Sequence, residues 1–304
     1  MDDSKIEEIL ERIAVALEAI AMALTSGNPQ RNKEGLLNCS KDNQDAADNE
    51  SSHDVIKRYL SSRGISIKVI PPEDPADSII DSLSLFLGSR YGALRNILSK
   101  IKRNMQIGGS LTESIADYSQ EDISSICQFC TRLYEIAFLE QYKYSKSPHY
   151  IIKAKTTTLP KAQKFFGGQW LERYVLQKVK ECHQMVQSEA GEAVSFSYLI
   201  NPQIVLPNGD DFEMDLLAAF GEKLIYWIEA KSGDYQQHVA KYSKFSRILG
   251  LDSDHSFMVL TDVADNACSA LSSLFGMSVV NLNTFQGRML ETLRKEILAP
   301  AAYP

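Results

Sequence analysis

The chain has 304 residues, 44% of them hydrophobic, with a net charge of −7 and five cysteines. That length accommodates two domains with ample cores, and the acidic balance excludes a globally basic nucleic-acid binder while leaving local patches and metal-assisted contacts open. No apolar run nears the length of a membrane span, no signal-peptide pattern is present, and an odd cysteine count excludes a disulfide framework, so a cytoplasmic protein with reduced thiols is expected.

In chain order, residues 4–25 read as a helix. Ile6, Leu10, Ile13, Leu17, Ile20 and Leu24 recur at steps of four and three, a heptad seam. The stripe suits packing on the helix's own domain or self-association. Residues 28–52 favour the second, because this polar stretch of Asn, Asp, Ser, Lys and Gln cannot bury enough surface to order itself. We therefore expect a self-association helix over 1–27 that builds a homo-oligomer, followed by a disordered linker over 28–52.

Residues 53–155 read as a mostly helical middle domain. Helical patterns cover 53–63, 78–87 and 91–105, and a short strand pattern over Ile65–Ile70 ends at Pro71-Pro72. Leu94, Ile97, Leu98 and Ile101 form one side of the third helix, with Arg95, Lys100, Lys102 and Arg103 on its polar side. Ser119 or Gln120 sits at the N-terminus of a further helical run that the pattern carries through Tyr142. Within it, Cys127 and Cys130 form a lone C-x-x-C. Zinc needs four ligands, so these read as small buried hydrophobes. The five histidines are scattered, and His238 is the one nearest the acidic motif described below.

Residues 156–304 mix strands and helices. A helix over 165–181 follows a Gly-Gly entry. Trp170, Leu171, Tyr174, Val175, Leu176 and Val179 cover a wide apolar arc, and Glu172 lies inside it. A carboxylate there is either a boundary residue or a group aimed at a site. Strand patterns follow at 194–200 and 203–207, then at Phe212–Phe220 and Leu224–Lys231. A helix over 234–249 stops at Gly250, and a strand at 257–260, a helix at 265–275, a strand at Val279-Val280 and a closing helix over 284–298 complete the chain. Strands interleaved with helices give an α/β core on pattern alone.

The densest chemistry lies in the two strands around the turn near Gly221. The apolar run Leu224–Ile228 reads as a strand buried on both faces, and it ends in Glu229-Ala230-Lys231. Strand alternation points Glu229 and Lys231 the same way. If the two strands form a hairpin, Asp215 lies beside Glu229. Two carboxylates and an adjacent ammonium suit a hard divalent cation, which keeps waters and substrate phosphates in its other positions. An acid among the small and apolar neighbours of Asp215 is costly unless paired or bound to metal.

Taken together, Asp215, the IEAKSG strand end and the GGQWLERYV helix start resemble the PD-(D/E)XK nuclease superfamily. They are most similar to the C-terminal nuclease half of CRISPR-associated nucleases whose N-terminal CARF domain senses cyclic oligoadenylate. The resemblance covers roughly residues 160–265 and finds no counterpart of the CARF half. It implies a mixed-sheet PD-(D/E)XK-like α/β core, which follows the mostly helical N-terminal half read from the patterns above. It also implies metal ligation by Asp215, Glu229 and the Ala230 carbonyl, with Mg²⁺ or Mn²⁺ as cofactor. Lys231 then serves catalysis and Glu172 supports the metal or its water.

Lys241, Lys244 and Arg247 recur at spacings of three in the following helix, which presents them either to phosphates or simply to solvent. Lys161 and Lys164 extend a basic rim before the Gly-Gly entry. The sequence therefore points to a metal-dependent endonuclease acting on nucleic acid, DNA more than RNA, in defence against phage or plasmids. The rival readings are a nucleic-acid-binding protein with an idle nuclease core and a signal-gated interaction protein. Deleting residues 1–27 should lower the mass seen by light scattering and leave the body folded, because a seam of about three heptads is marginal alone and acts by burial between chains.

Overall fold

The computed structural model describes residues 53–298, so the expected self-association helix and linker lie outside the described residues. These residues divide into two compact units, one of residues 82–170 and one joining 53–81 to 171–298. No helix among the described residues is long and apolar enough to cross a membrane.

Helix α1 (Asp54–Ser62) buries Ile56 and Leu60 and leads into strand β1 (Ser66–Val69). Then come α2 (Asp77–Ser89), α3 (Tyr91–Asn104), β2 (Ser110–Ser114), α4 (Gln120–Glu135), β3 (Leu139–Ser145) and β4 (Ile151–Thr156). Helix α3 buries Leu94, Ile97, Leu98 and Ile101, the face its spacing expects. The Ser119 hydroxyl caps α4 by accepting the Asp122 N–H at 3.1 Å.

Helix α4 stops earlier than the pattern expects. Ala137 takes a left-handed backbone at φ 59°, and the Phe138 N–H turns back to the Leu133 carbonyl at 2.8 Å. The chain then leaves as β3. Helices dominate this region as expected, but β2, β4 and β3 pair in that order as an antiparallel sheet that the sequence reading left out. Ser110–Ser114 does alternate exposed and buried, yet five residues of such alternation are too few to stand out beside long helical stripes.

Next are α5 (Pro160–Lys164), a π-helical turn over Phe165–Gln169 and α6 (Trp170–Ala190). Gly168 takes a non-helical backbone and kinks the chain between α5 and α6, so the helix expected over 165–181 starts at Trp170, just past the Gly-Gly entry, and runs on to Ala190. Pro160 opens the separate short helix α5, since proline is at home in a first turn.

The second unit continues with β5 (Phe196–Ile200), β6 (Gln203–Val205), β7 (Asp211–Glu213), β8 (Leu216–Phe220) and β9 (Leu224–Lys231). After a 3₁₀ turn come α7 (Val239–Leu249), β10 (Ser256–Leu260), α8 (Asp265–Phe275), β11 (Ser278–Asn281) and α9 (Phe285–Ile297). The main sheet is mixed, in the order β11-β10-β9-β8-β5. Strands β9, β10 and β11 run parallel, while β8 and β5 are antiparallel to their neighbours. Both β8 and β10 are buried along their whole length, which their unbroken apolar character requires.

A small sheet, β1-β6-β7, explains why residues 53–81 belong here rather than to a middle domain ending at 155. Strand β1 pairs antiparallel with β6, Ser66 opposite Val205. Ile56 and Leu60 of α1 join the core built around Trp227 and Phe245, and the Tyr59 hydroxyl donates to the Leu249 carbonyl at 2.6 Å. Pairing partners so distant along the chain leave no local trace.

One expected strand is two. Phe212–Phe220 reads as continuous, but β7 pairs with β6 in the small sheet and β8 with β5 in the large one. The break falls at Met214-Asp215. Phe212, just before it, stacks on Phe245 with ring centroids 4.0 Å apart, and Phe245 meets Trp227 edge-on at 4.8 Å. Phe245→Ala should therefore cost about 3–5 kcal/mol in denaturant unfolding, the usual loss for a fully buried aromatic ring.

Candidate active site

The register of the β8–β9 hairpin builds the site. Leu216 lies opposite Ile228, so the next position back, Asp215, faces Glu229. Strand β8 has ended there, and the Ala230 N–H has no β8 carbonyl to meet. The Asp215 carboxylate accepts that N–H instead, at 2.8 Å through Oδ2. The same oxygen accepts from Lys231 Nζ at 3.0 Å. A strand end that would otherwise leave a buried donor unsatisfied is thus capped by an acid.

Glu229 is 1% exposed. Its Oε1 accepts the Asp215 N–H at 3.2 Å and the Trp227 indole N–H at 3.1 Å. Its Oε2 lies 3.4 Å from Lys231 Nζ. One ammonium therefore spans the two carboxylates. Burial, then the Asp215 charge, pushes the Glu229 carboxyl up to about 8. For Lys231, burial works to lower the ammonium, but the Asp215 and Glu229 carboxylates outweigh it and raise it, so it stays charged. Tyr242 of α7 closes the far side, its ring centroid 5.6 Å from the Lys231 Nζ. Burial raises its hydroxyl above the usual range.

Glu172 reaches the same neighbourhood through a residue the sequence reading treated only as a turn. Asn201 sits between β5 and β6 in a left-handed conformation, φ 51°, which Asn tolerates well. Its N–H donates to the Asp215 carbonyl at 3.0 Å, and its side-chain amide donates to Glu172 Oε2 at 2.9 Å. Its Oδ1 is buried without a hydrogen-bond partner. The only sequence signal was the Asn201-Pro202 dipeptide, which marks a turn and not a function. Beside Glu172, the buried Arg173 donates to Asp81 at 2.5 Å and lies 3.1 Å from Asp77, which ties α6 to the segment 77–81 of its own unit.

This donor set fits a hard divalent ion. Magnesium takes one or two carboxylates and oxygen ligands otherwise. Asp215 and Glu229 supply the charge, and the unsatisfied Oδ1 of Asn201 is one more oxygen acceptor nearby. Among the described residues no group of three or more His, Cys, Asp or Glu is gathered for a metal, so Glu172 does not join Asp215 and Glu229 as a third carboxylate. Cys130 is fully buried, and burial raises its thiol. Cys127 is only partly buried, so of the pair it is Cys130 that belongs to the core.

Lys241, Lys244 and Arg247 are exposed on the outer side of α7, opposite the buried Tyr242, Phe245 and Leu249. Lys241 places its ammonium 4.4 Å above the Phe212 ring.

No protein-family model matches this chain, and no curated protein matches it. Solved structures do match its fold. Protein VC1899 from Vibrio cholerae superposes with a TM-score of 0.50 at 17% identity, covering 80% of this chain and 61% of that one. Can2 from Sulfobacillus thermosulfidooxidans, solved in complex with cyclic tetra-adenylate, gives a TM-score of 0.51 at 12% identity, covering 78% of this chain and 61% of that one. The chain shares their fold and spans about three fifths of the length of each.

A raised carboxyl makes the metal-free fold sensitive to pH in a stated direction. Glu229 favours its proton more in the folded state, so the stability it contributes is full below about 4.5 and is lost as pH rises through about 8. Lys231 keeps its charge throughout that window. In chelator, the melting temperature of Glu229→Gln relative to the unsubstituted protein should rise steadily from pH 5 to pH 9. A difference that is flat or falls with pH would contradict this account of the buried acid.

Proposed function

We propose that this chain is a metal-dependent endonuclease of the PD-(D/E)XK type that hydrolyses phosphodiester bonds of nucleic acid, DNA more than RNA. The observation that carries the reading is the buried convergence of Asp215, Glu229 and Lys231 where β8 ends. Asp215, Glu229 and the Ala230 carbonyl are the oxygen donors that would hold Mg²⁺ or Mn²⁺. When bound, such an ion acidifies a coordinated water and polarises the phosphoryl oxygen.

The chain's own groups do the rest. Two hydrogen bonds anchor one oxygen of Glu229 and leave the other turned to the ammonium. Lys231 is held charged by its carboxylate neighbours, so it can orient the attacking water and neutralise charge developing on the phosphate. Glu172, tied to Asn201, supports that arrangement at one remove. Lys241, Lys244 and Arg247 offer charge for phosphates along α7. A homo-oligomer formed through residues 4–25 would present several such sites to one nucleic acid. Defence against phage or plasmids in the cytoplasm fits this chemistry and the fold it shares with Can2.

The likeness to a chain solved with cyclic tetra-adenylate supports a second reading, a signal-gated protein whose cutting waits on a nucleotide. One experiment separates the readings. Purified protein is given supercoiled DNA, linear DNA or RNA with Mg²⁺, Mn²⁺ or chelator, with and without cyclic tetra-adenylate. Cutting with metal alone supports the ungated nuclease, and cutting only with the nucleotide supports gating. Binding without cutting under every condition supports an idle core.

Where cutting occurs, Glu229→Ala and Lys231→Ala should each lower its rate by about 10²-fold or more. Glu172→Gln should lose less than Asp215→Asn, about 10–100-fold, as for groups that act through a ligand or water. Cleavage at the unsubstituted rate in the Glu229 or Lys231 variants, or any cleavage in excess chelator, would sink the assignment.

A further inference from the structure

Residues 82–170 are a basic island in an acidic chain. They carry twelve Lys and Arg against six Asp and Glu, while the whole chain has a net charge of −7. Part of that charge lies on one face of the sheet β2-β4-β3. The register puts Thr112, Lys153 and Lys143 in one row across the three strands, all on the exposed side. The next row is Ser110, Lys155 and Gln141. No acid occupies either row. The opposite face is turned to the core, with Leu111, Ile152 and Ala154 buried.

Lys143 and Lys153 stand directly opposite each other in an antiparallel pair. Neither has a hydrogen bond or ion pair among the described residues. Like charges in that position destabilise a sheet, so the fold gains nothing from them. Lys146, exposed in the turn that joins β3 to β4, adds a third cation at the end of the same hairpin. Lys155 differs, because Glu140 neutralises it at 2.5 Å. The free charge is therefore concentrated in Lys143, Lys153 and Lys146. Serine and threonine hydroxyls beside them are ordinary donors to phosphate oxygens.

We propose that this open sheet face binds the phosphate backbone of nucleic acid, with Lys143, Lys153 and Lys146 as its anchors. A polyanion removes the repulsion between the opposed lysines, and the hydroxyls of Ser110 and Thr112 add neutral hydrogen bonds. Counterion release supplies the affinity and makes it steeply dependent on salt. Contacts of this kind position a strand without reading its sequence. The inference goes beyond the cleavage reading and holds whether or not the chain cuts.

The test measures binding alone. Full-length protein carrying Glu229→Gln is titrated in chelator against labelled duplex DNA, single-stranded DNA and RNA over a range of salt, by fluorescence anisotropy. Adding Lys143→Gln, Lys146→Gln and Lys153→Gln together should weaken binding about tenfold or more at 0.1 M salt. It should also reduce the slope of log K against log salt by about 2–3 on duplex DNA. Glu140→Gln, which frees Lys155, should tighten binding and steepen the slope. The melting temperature of the triple variant should hold or rise, since an opposed pair of like charges is gone; a merely structural role would lower it. Unchanged affinity and slope in the triple variant would overturn the proposal. So would equal competition by polyglutamate of matched charge, which would make the face a site for acidic polypeptide. Loss of cleavage in other assays would leave this binding result standing, so failure here is distinct from failure of the nuclease reading.

Discussion

A single ammonium lies between two carboxylates at the point where one strand of a sheet gives out. Around this point the rest of the second unit is arranged. Were β8 extended by two residues, to Met214, the Ala230 N–H would meet a backbone carbonyl and the Asp215 carboxylate would not be needed there. Because it stops at Leu216, an acid takes over as partner to the backbone, and Lys231 and Glu229 gather around it. The cost of burying these charges is several kcal/mol per ion if they stand alone. Mutual attraction and four hydrogen bonds offset it in part, and the proton affinity of Glu229 records what remains.

Different interactions in the molecule carry very different weight. Exposed ion pairs such as Arg294 with Glu189 contribute about 0–1 kcal/mol. Removing the buried Arg173 costs about 3–5 kcal/mol, because the two acids it pairs with, Asp77 and Asp81, are left uncompensated. The heavy terms all converge on the elements bearing the acidic residues. Arg173 fixes α6, which carries Glu172. The stack of Phe212 on Phe245 and the edge of Trp227 hold β7, α7 and β9 together, and the Trp227 indole orients Glu229 directly. The same ring serves packing and chemistry, and only its N–H distinguishes the two roles.

The two basic surfaces follow the opposite logic. Lys241, Lys244 and Arg247 ride on the outside of a helix whose inner face is core, and Lys143 and Lys153 on the outside of a sheet. Neither group is needed to hold its element in place. Among the described residues no acid neutralises their charges, unlike Lys155 with Glu140 or Lys100 with Glu113, although Lys241 also sits over the Phe212 ring.

Local pattern determined much of this protein. The apolar stripe of α3, the Ser119 cap, the stop at Gly250, the buried run of β9 and the neighbourhood of Asp215, Glu229 and Lys231 are all properties of adjacent residues, whose spacing carries geometry directly. Tertiary structure alone decided what depends on pairing between distant segments. Strand β1 joins β6 across more than a hundred residues, so residues 53–81 belong to the second unit. The continuous strand pattern of 212–220 is divided between two sheets, because each half finds a different partner. Asn201 becomes a link between Glu172 and Asp215 only when the corner from β5 to β6 meets α6. Alternation and stripes are written in neighbouring side chains; register and partner choice are settled by which surfaces bury each other, and no single segment contains that information.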